Sequence, residues 1–163
     1  MKLQVLMFFQ DDPKKCTAAK MVKFGLAQSI KKIGNKGMVL DPFSEKTLLP
    51  KDKKSINSIV GIDCSWNLAD KAFSKKFDGI KRKLPPLLAG NPVNYSKLNK
   101  LTTVEALSAS LFILGFKDQG LELLDKFKWG HTFYDLNQNL LDDYSKIDTE
   151  EQIESILTDY GLS

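Results

Sequence analysis

Apolar positions follow two patterns along the chain, and the pattern changes near residue 90. In the first part, short apolar runs alternate with a helical stripe. Leu3 to Phe9 reads as a buried strand, and a polar turn, Gln10 to Cys16, follows it. Thr17 has the chemistry of an N-cap, opening a helix that the spacing of Met21, Phe24, Ile30 and Ile33 carries to about Ile33. Gly34 and Gly37 close it and lead into a short strand, Met38 to Leu40, stopped by Pro42. Ile56 to Ile62 is a further β-branched run, and Asn67 to Phe73 reads as a short helix. Pro85-Pro86 ends any strand that starts at Ile80 near Leu84. This strand–helix–strand order predicts a parallel sheet with right-handed crossovers.

Beyond Pro92 only helical periodicity remains. Thr102-x-x-Glu105 is a capping box that opens a helix running to Leu114 and ending at Gly115. Asp118 is placed to cap the next helix, which ends near Phe127. Phe133, Leu136, Leu140, Leu141 and Tyr144 form a stripe over His131 to Tyr144. Thr149-x-x-Gln152 is a second capping box, and Gly161 ends the last helix. The predicted fold class is α/β: a parallel sheet with helices in the N-terminal half, then an all-helical C-terminal half. The predicted division is an α/β domain over residues 1–88 and a helical domain over residues 89–163.

Charge changes at the same place. Residues 1–100 hold 20 Lys and Arg against 8 Asp and Glu, net +12, and residues 101–163 hold 4 against 12, net −8. Such asymmetry suits a face that meets a polyanion, and a Lys-rich solvated surface gives the same counts. With 42% hydrophobic and 27% charged residues the composition is that of a soluble globular protein. No apolar run approaches the ~18 residues of a membrane span. Leu3 to Phe9 is too short for a signal peptide, so the expected location is cytoplasmic. Cys16 and Cys64 are the only cysteines and His131 the only histidine. That argues against a cysteine metal site and a Ser/His/Asp triad, and it makes both thiols look like small packed residues.

Candidate chemistry gathers at Gly61-Ile62-Asp63-Cys64-Ser65-Trp66, where the Ile56–Ile62 strand ends. Ligands of open α/β sheets bind at such carboxyl edges. Asp63 could act there as a base or only order a turn, and Trp66 could wall a ligand or anchor the core. Thr17 and the Thr102-Thr103 pair stand at helix starts, which suit a carboxylate or phosphate and equally suit ordinary capping. The stiff loop Pro85 to Pro92 offers fixed main-chain groups, as adenine recognition requires, or serves as a rigid linker. His131 fits a helix start against the core better than a catalytic base. There is no GxGxxG after a strand and no P-loop motif.

Five segments in order carry a family resemblance: Asp11-Asp12-Pro13-Lys14-Lys15-Cys16-Thr17, Asp63-Cys64-Ser65-Trp66, Leu84-Pro85-x-Leu87-x-Ala89-x-Asn91-Pro92-Val93-Asn94-Tyr95, Leu101-Thr102-x-x-Glu105-Ala106 and Trp129-Gly130-x-x-Phe133-x-x-Leu136-Asn137. Together they resemble the ribosome-biogenesis aminocarboxypropyltransferases of small-subunit rRNA. The first segment also resembles the start of the iron–sulfur region of a ribosome-recycling ATPase, whose further cysteines are missing here. The resemblance implies a SPOUT-like fold with a trefoil knot and a cofactor cleft between residues 1–88 and 89–163. It implies transfer of the 3-amino-3-carboxypropyl group of S-adenosyl-L-methionine to a methylated pseudouridine, with release of methylthioadenosine.

Carried over to this chain, the resemblance places the amino-acid carboxylate at Thr17 and Thr103, the ribose at the main chain of Ile62 and the adenine at that of Leu84. Asn99 becomes a further cofactor contact. Trp66 and Ala69 wall off the methyl group, and Asp63 takes or orients the proton of the attacking ring nitrogen. Lys81, Arg82 and Lys83 become the candidate RNA-binding cluster. The expected molecule is a cytoplasmic monomer whose partner is small-subunit rRNA or the pre-ribosomal small subunit, with no metal and no membrane. Lack of the long acidic tail of eukaryotic relatives points to an archaeal-type member. Many relatives have Ala-Ala-Asn-Pro where this chain has Ala89-Gly90-Asn91-Pro92, and Asn-Tyr-Gly where it has Asn94-Tyr95-Ser96. A non-catalytic rRNA-binding assembly factor and an RNA methyltransferase are the competing functions.

Overall fold

The structure is a computed structural model that describes residues 1–7, 16–63 and 78–162. Its centre is a five-stranded, all-parallel sheet in the order β2-β1-β4-β3-β5. The strands are β1 (Lys2–Met7), β2 (Gln28–Ile30), β3 (Gly37–Leu40), β4 (Ser58–Asp63) and β5 (Ile80–Arg82). β4 is buried at all six positions, and it is the strand that the β-branched run marks. It pairs with β1 from Lys2↔Ser58 to Met7↔Asp63, and with β3 through Gly37↔Ser58. Its side chains alternate between two clusters, as a strand covered on both faces requires. Val60 and Ile62 join Ile33 and Val39, while Ile59 joins the main core.

The helices are α1 (Thr17–Lys23), α2 (Thr103–Ile113), α3 (Lys117–Asp125), α4 (Gly130–Tyr144) and α5 (Glu151–Asp159), with a 3₁₀ helix at Pro50–Ser55. α2 is apolar on nearly every side and is buried between β4 and the pair α3 and α4. One core therefore joins Leu3 and Val5 of the sheet to Leu107, Leu124, Phe133 and Tyr144 of the helices. Among the described residues no strand follows residue 100, and no helix is long and apolar enough to cross a membrane.

Three expected boundaries move. The first helix stops at Lys23 and does not reach Ile33. Gly25 takes φ +72°, its N–H reaches Val22 O, and Leu26 N–H reaches Met21 O, a Schellman end that only a residue at ease in the left-handed region makes. The residues beyond turn back as β2, a short edge strand. Cys16, not Thr17, caps α1, its sulfur accepting from Ala19 N at 3.4 Å, because the Thr17 hydroxyl faces Val104. Phe116, not Asp118, precedes α3, which leaves Asp118 inside its first turn. The second capping box forms in half: Gln152 Oε1 accepts from the N–H groups of Asp148 and Thr149. The short helix read over Asn67 to Phe73 lies outside the described residues.

Candidate active site

The strands β3, β4 and β5 end side by side, and a cleft of about 900 Å³ opens beyond their carboxyl ends. Its floor is Asp41 after β3, Ile62 and Asp63 of β4, and Lys83 and Leu84 after β5. One wall is made by the starts of α1 and α2, with Thr17, Thr102 and Thr103. Another is the Pro-rich loop after Leu84, and a third is α5, with Ile153 and Leu157. The Glu150 carboxylate ties α5 to the sheet side by accepting from Thr47 N at 2.8 Å. The volume and the mixed lining, aliphatic faces with few polar groups, are those of a site for one ligand of cofactor size.

Asp63 lies on the same side of β4 as Ile59 and Gly61, facing α2. It is 6% exposed. The Cys16 thiol donates to its Oδ2 at 3.1 Å, and the Thr103 hydroxyl lies 3.4 Å from its Oδ1. The Thr17 hydroxyl in turn accepts from Val104 N at 3.4 Å, so the starts of α1 and α2 meet directly over the end of β4. Gly61 permits this approach: a Cβ there would stand 2.8 Å from Thr103 Cγ2. Because the χ1 of a β-branched Thr is stiff, Gly61→Ala must push the start of α2 outward. The expected result is at least a tenfold loss of ligand affinity in this cleft with the fold retained, read by calorimetry and circular dichroism.

Burial, reinforced by the Asp63 carboxylate beside it, pushes the Cys16 thiol up to about 11, so it remains a donor at neutral pH. The native state then holds this proton after the unfolded chain, near the ordinary value of 9.0, has released it. Stability from this group is complete below about pH 9 and is lost as pH rises through about 11. Cys16→Ser removes the titration and keeps a hydrogen-bond donor, a hydroxyl in place of the thiol. Denaturant melts of both proteins at pH 8 and pH 10.5 should show the wild type losing more stability over that interval.

The Pro-rich loop is fixed from three sides. Glu105, fully buried, accepts from Thr102 N (2.9 Å) as the capping box requires, and also from Thr102 Oγ1 (2.9 Å), Gly90 N (2.7 Å) and Asn91 Nδ2 (2.7 Å). Asn137 on α4 pairs with Leu88 as a strand would, donating to its O (2.7 Å) and accepting from its N–H (2.8 Å). Tyr144, whose hydroxyl burial holds in the protonated form, donates to Pro86 O at 2.8 Å. Gly90 packs so closely on α4 that a Cβ would come within 2.5 Å of Phe133 N. Gly130 is needed for a similar reason, since a Cβ there would collide with Leu124 O.

Of the residues singled out in the sequence, Thr17, Ile62, Asp63, Leu84, Asn99 and Thr103 all line this one cleft. Trp66 and Ala69, with Cys64 and Ser65, lie outside the described residues, as does most of the first motif. Lys83 lines the cleft, whereas Arg82 points its guanidinium at Asp52, Nε to Oδ2 and Nη2 to Oδ1, both at 3.2 Å. Lys81 is half-buried beside it. His131 is exposed on the first turn of α4 and does not line the cleft. The pattern missed Asp41, Glu150 and Cys16. Asp41 carried a signal, for it follows an apolar run just as Asp63 does; a contact across 47 residues such as Cys16–Asp63 carries none.

Comparison with known proteins gives the family and the fold. Residues 38–161 match the family described as ribosome biogenesis protein, C-terminal, and residues 1–33 match a possible Fer4-like domain in RNase L inhibitor. A 16S rRNA aminocarboxypropyltransferase of Methanobrevibacter smithii is 44% identical over 98% of this chain and 97% of its own length. One from Saccharolobus solfataricus is 42% identical over 96% and 93%. Among solved structures, the SAM-dependent rRNA:acp-transferase Tsr3 from Vulcanisaeta distributa superposes with a TM-score of 0.87 at 37% identity, covering 99% of this chain and 93% of that one.

Proposed function

The chain belongs to the ribosome biogenesis family that includes the 16S rRNA aminocarboxypropyltransferases, and from that premise we propose how its cleft performs the reaction. The protein is a transferase that uses S-adenosyl-L-methionine to modify small-subunit rRNA during ribosome biogenesis. The acceptor that the family resemblance implies is a methylated pseudouridine. The observation that carries this reading is the convergence of six singled-out residues on one cleft, with Asp63 at its floor.

The lining fits the cofactor by its chemistry. Leu84 and the prolines after it give an apolar wall with fixed main-chain groups that would take the adenine, and the main chain of Ile62 would meet the ribose. Asn99 closes the same side. Thr17, at the start of α1, and Thr103, through its main-chain N–H at the positive end of α2, would hold the amino-acid carboxylate. The family resemblance assigns the wall against the methyl group to Trp66 and Ala69, which lie outside the described residues. Bound there, the cofactor supplies the 3-amino-3-carboxypropyl group as its electrophile and departs as methylthioadenosine. The protein's part is to fix which carbon faces the acceptor, a question of position more than of intrinsic reactivity. Asp63 receives the proton of the attacking ring nitrogen at Oδ1 or Oδ2, while Cys16 and Thr103 keep the carboxylate aimed.

Lys81 and Lys83 contribute charge to the RNA side, and Arg82 steadies the strand end through Asp52. The SPOUT-like kinship and the trefoil knot come from the family resemblance alone, and the all-parallel sheet agrees with the α/β class of that kinship. The same reading makes residues 1–88 the α/β domain and 89–163 the helical one, in a monomer that works in the cytoplasm. Incubation with unmodified small-subunit RNA and S-adenosylmethionine labelled either in the carboxyl carbon or in the methyl group decides the reaction. Carboxyl label alone should enter the RNA. Methyl label in the RNA identifies a methyltransferase, and tight binding without label identifies an assembly factor.

A further inference from the structure

We propose that residues 93–100 form a ledge on which an unpaired nucleotide of the RNA stacks, beside the one being modified, with Tyr95 as its platform. This rests on the reading of the protein as an RNA-modifying enzyme and assigns a part of the acceptor site that the Lys81–Lys83 cluster does not cover.

The ledge is rigid. Asn94 N–H donates to Asn91 Oδ1 (2.9 Å), Ser96 N–H to Ala89 O (2.7 Å) and Asn99 N–H to Leu87 O (3.0 Å), while Lys97 O accepts from Ala89 N at 2.9 Å. Ser96 and Asn99 adopt φ of 60° and 61°, left-handed values that a loose loop of ordinary residues avoids. Asn91 is itself held by Glu105. A segment fixed in this way cannot fold back to cover its own apolar side chains.

Those side chains stand in water. Val93 is 84% exposed, Tyr95 56% and Leu98 37%. Among the described residues only Phe24, Phe43 and Tyr160 are comparably large, apolar and exposed, so half of that set falls on eight consecutive positions. Apolar surface concentrated on a rigid segment marks a contact site more than chance exposure. The place matters as much: Val93, Asn94 and Asn99 line the cleft, which makes the ledge its rim.

Charge selects the partner. The ledge carries Lys97 and Lys100 and no acidic residue, although the chain that follows is net acidic. Lys83 adds a further cation on the cleft wall. An exposed aromatic ring on a segment that also carries lysines is a combination that single-stranded nucleic acid favours, bases on the ring and phosphates on the lysines. Recognition of RNA loops depends on such splayed bases.

The test compares full-length wild type, Tyr95→Ala and Tyr95→Phe on a small-subunit RNA loop carrying 2-aminopurine next to the target position. Tyr95→Ala should raise the RNA Kd and KM about tenfold, abolish the quenching of 2-aminopurine seen with wild type, and leave S-adenosylmethionine affinity by calorimetry unchanged. Tyr95→Phe, which keeps the ring, should behave as wild type. The proposal is overturned if Tyr95→Ala binds RNA normally, if it loses cofactor affinity instead, or if Tyr95→Phe is equally impaired. A defect seen only on assembled pre-ribosomal particles and not on naked RNA overturns it in favour of a protein partner. Should wild type bind the RNA without transferring label, the transferase reading fails while the ratio of binding constants still decides the ledge.

Discussion

Asp63→Asn lowers the maximal rate of group transfer by about 10²-fold or more, the scale of a lost general base, while S-adenosylmethionine still binds. The substitution keeps the shape of a side chain that is 6% exposed and lies between Cys16 and Thr103. What it removes is the ability to take a proton. Single-turnover transfer and calorimetry separate rate from binding. The pH profile distinguishes a base from a strut: alkaline pH, which strips the proton from the ring nitrogen, should restore much of the rate of Asp63→Asn. A variant with wild-type turnover at neutral pH would leave Asp63 only the task of ordering the end of β4.

Glu105→Ala has the larger effect on the molecule as a whole. Four donors converge on this buried carboxylate, from Thr102, Gly90 and Asn91. Removing it leaves them without their acceptor at a depth where water does not readily replace it, a loss of about 3–5 kcal/mol. For a chain of this size that is a drop of about 10 °C in melting temperature. Cofactor affinity should fall as well, since Glu105 is the link between the two cleft walls, the start of α2 and the loop after Leu84. Scanning calorimetry with and without S-adenosylmethionine measures both. A variant that melts normally and binds normally would show the loop to be held without it.

Local signals carried well from sequence to structure, and distant ones did not. Thr102-x-x-Glu105 is a four-residue device with its own hydrogen bonds, and α2 begins where it stands. The run ending in Asp63 became the central strand because β-branched residues buried on both faces leave little choice. The first helix was overextended for a physical reason: Phe24, Ile30 and Ile33 fall at helical spacing by coincidence, and the left-handed Gly25 overrides them. β2 is three residues long and has no fully buried position, so it offers no alternation to detect. The pairing of Cys16 with Asp63 spans 47 residues, and Thr103 with Asp63 spans 40. Such contacts belong to the topology of the sheet, and the motif resemblance, not periodicity, brought Ile62, Leu84 and Asn99 into view. The second task of Glu105, holding Gly90 and Asn91, was hidden because the capping box already accounted for it.

The close seat of Gly90 on α4 bears on how such chains diverge. A methyl group at position 90 would press on backbone at Phe133, not on a side chain that can turn aside. A lineage with Ala-Ala-Asn-Pro in this loop must therefore hold its equivalent of α4 at a greater distance or an altered tilt. Loop and helix are separated by some forty residues of sequence, yet they can only be inherited as a matched set, and a chimera that borrows one without the other begins with a steric debt.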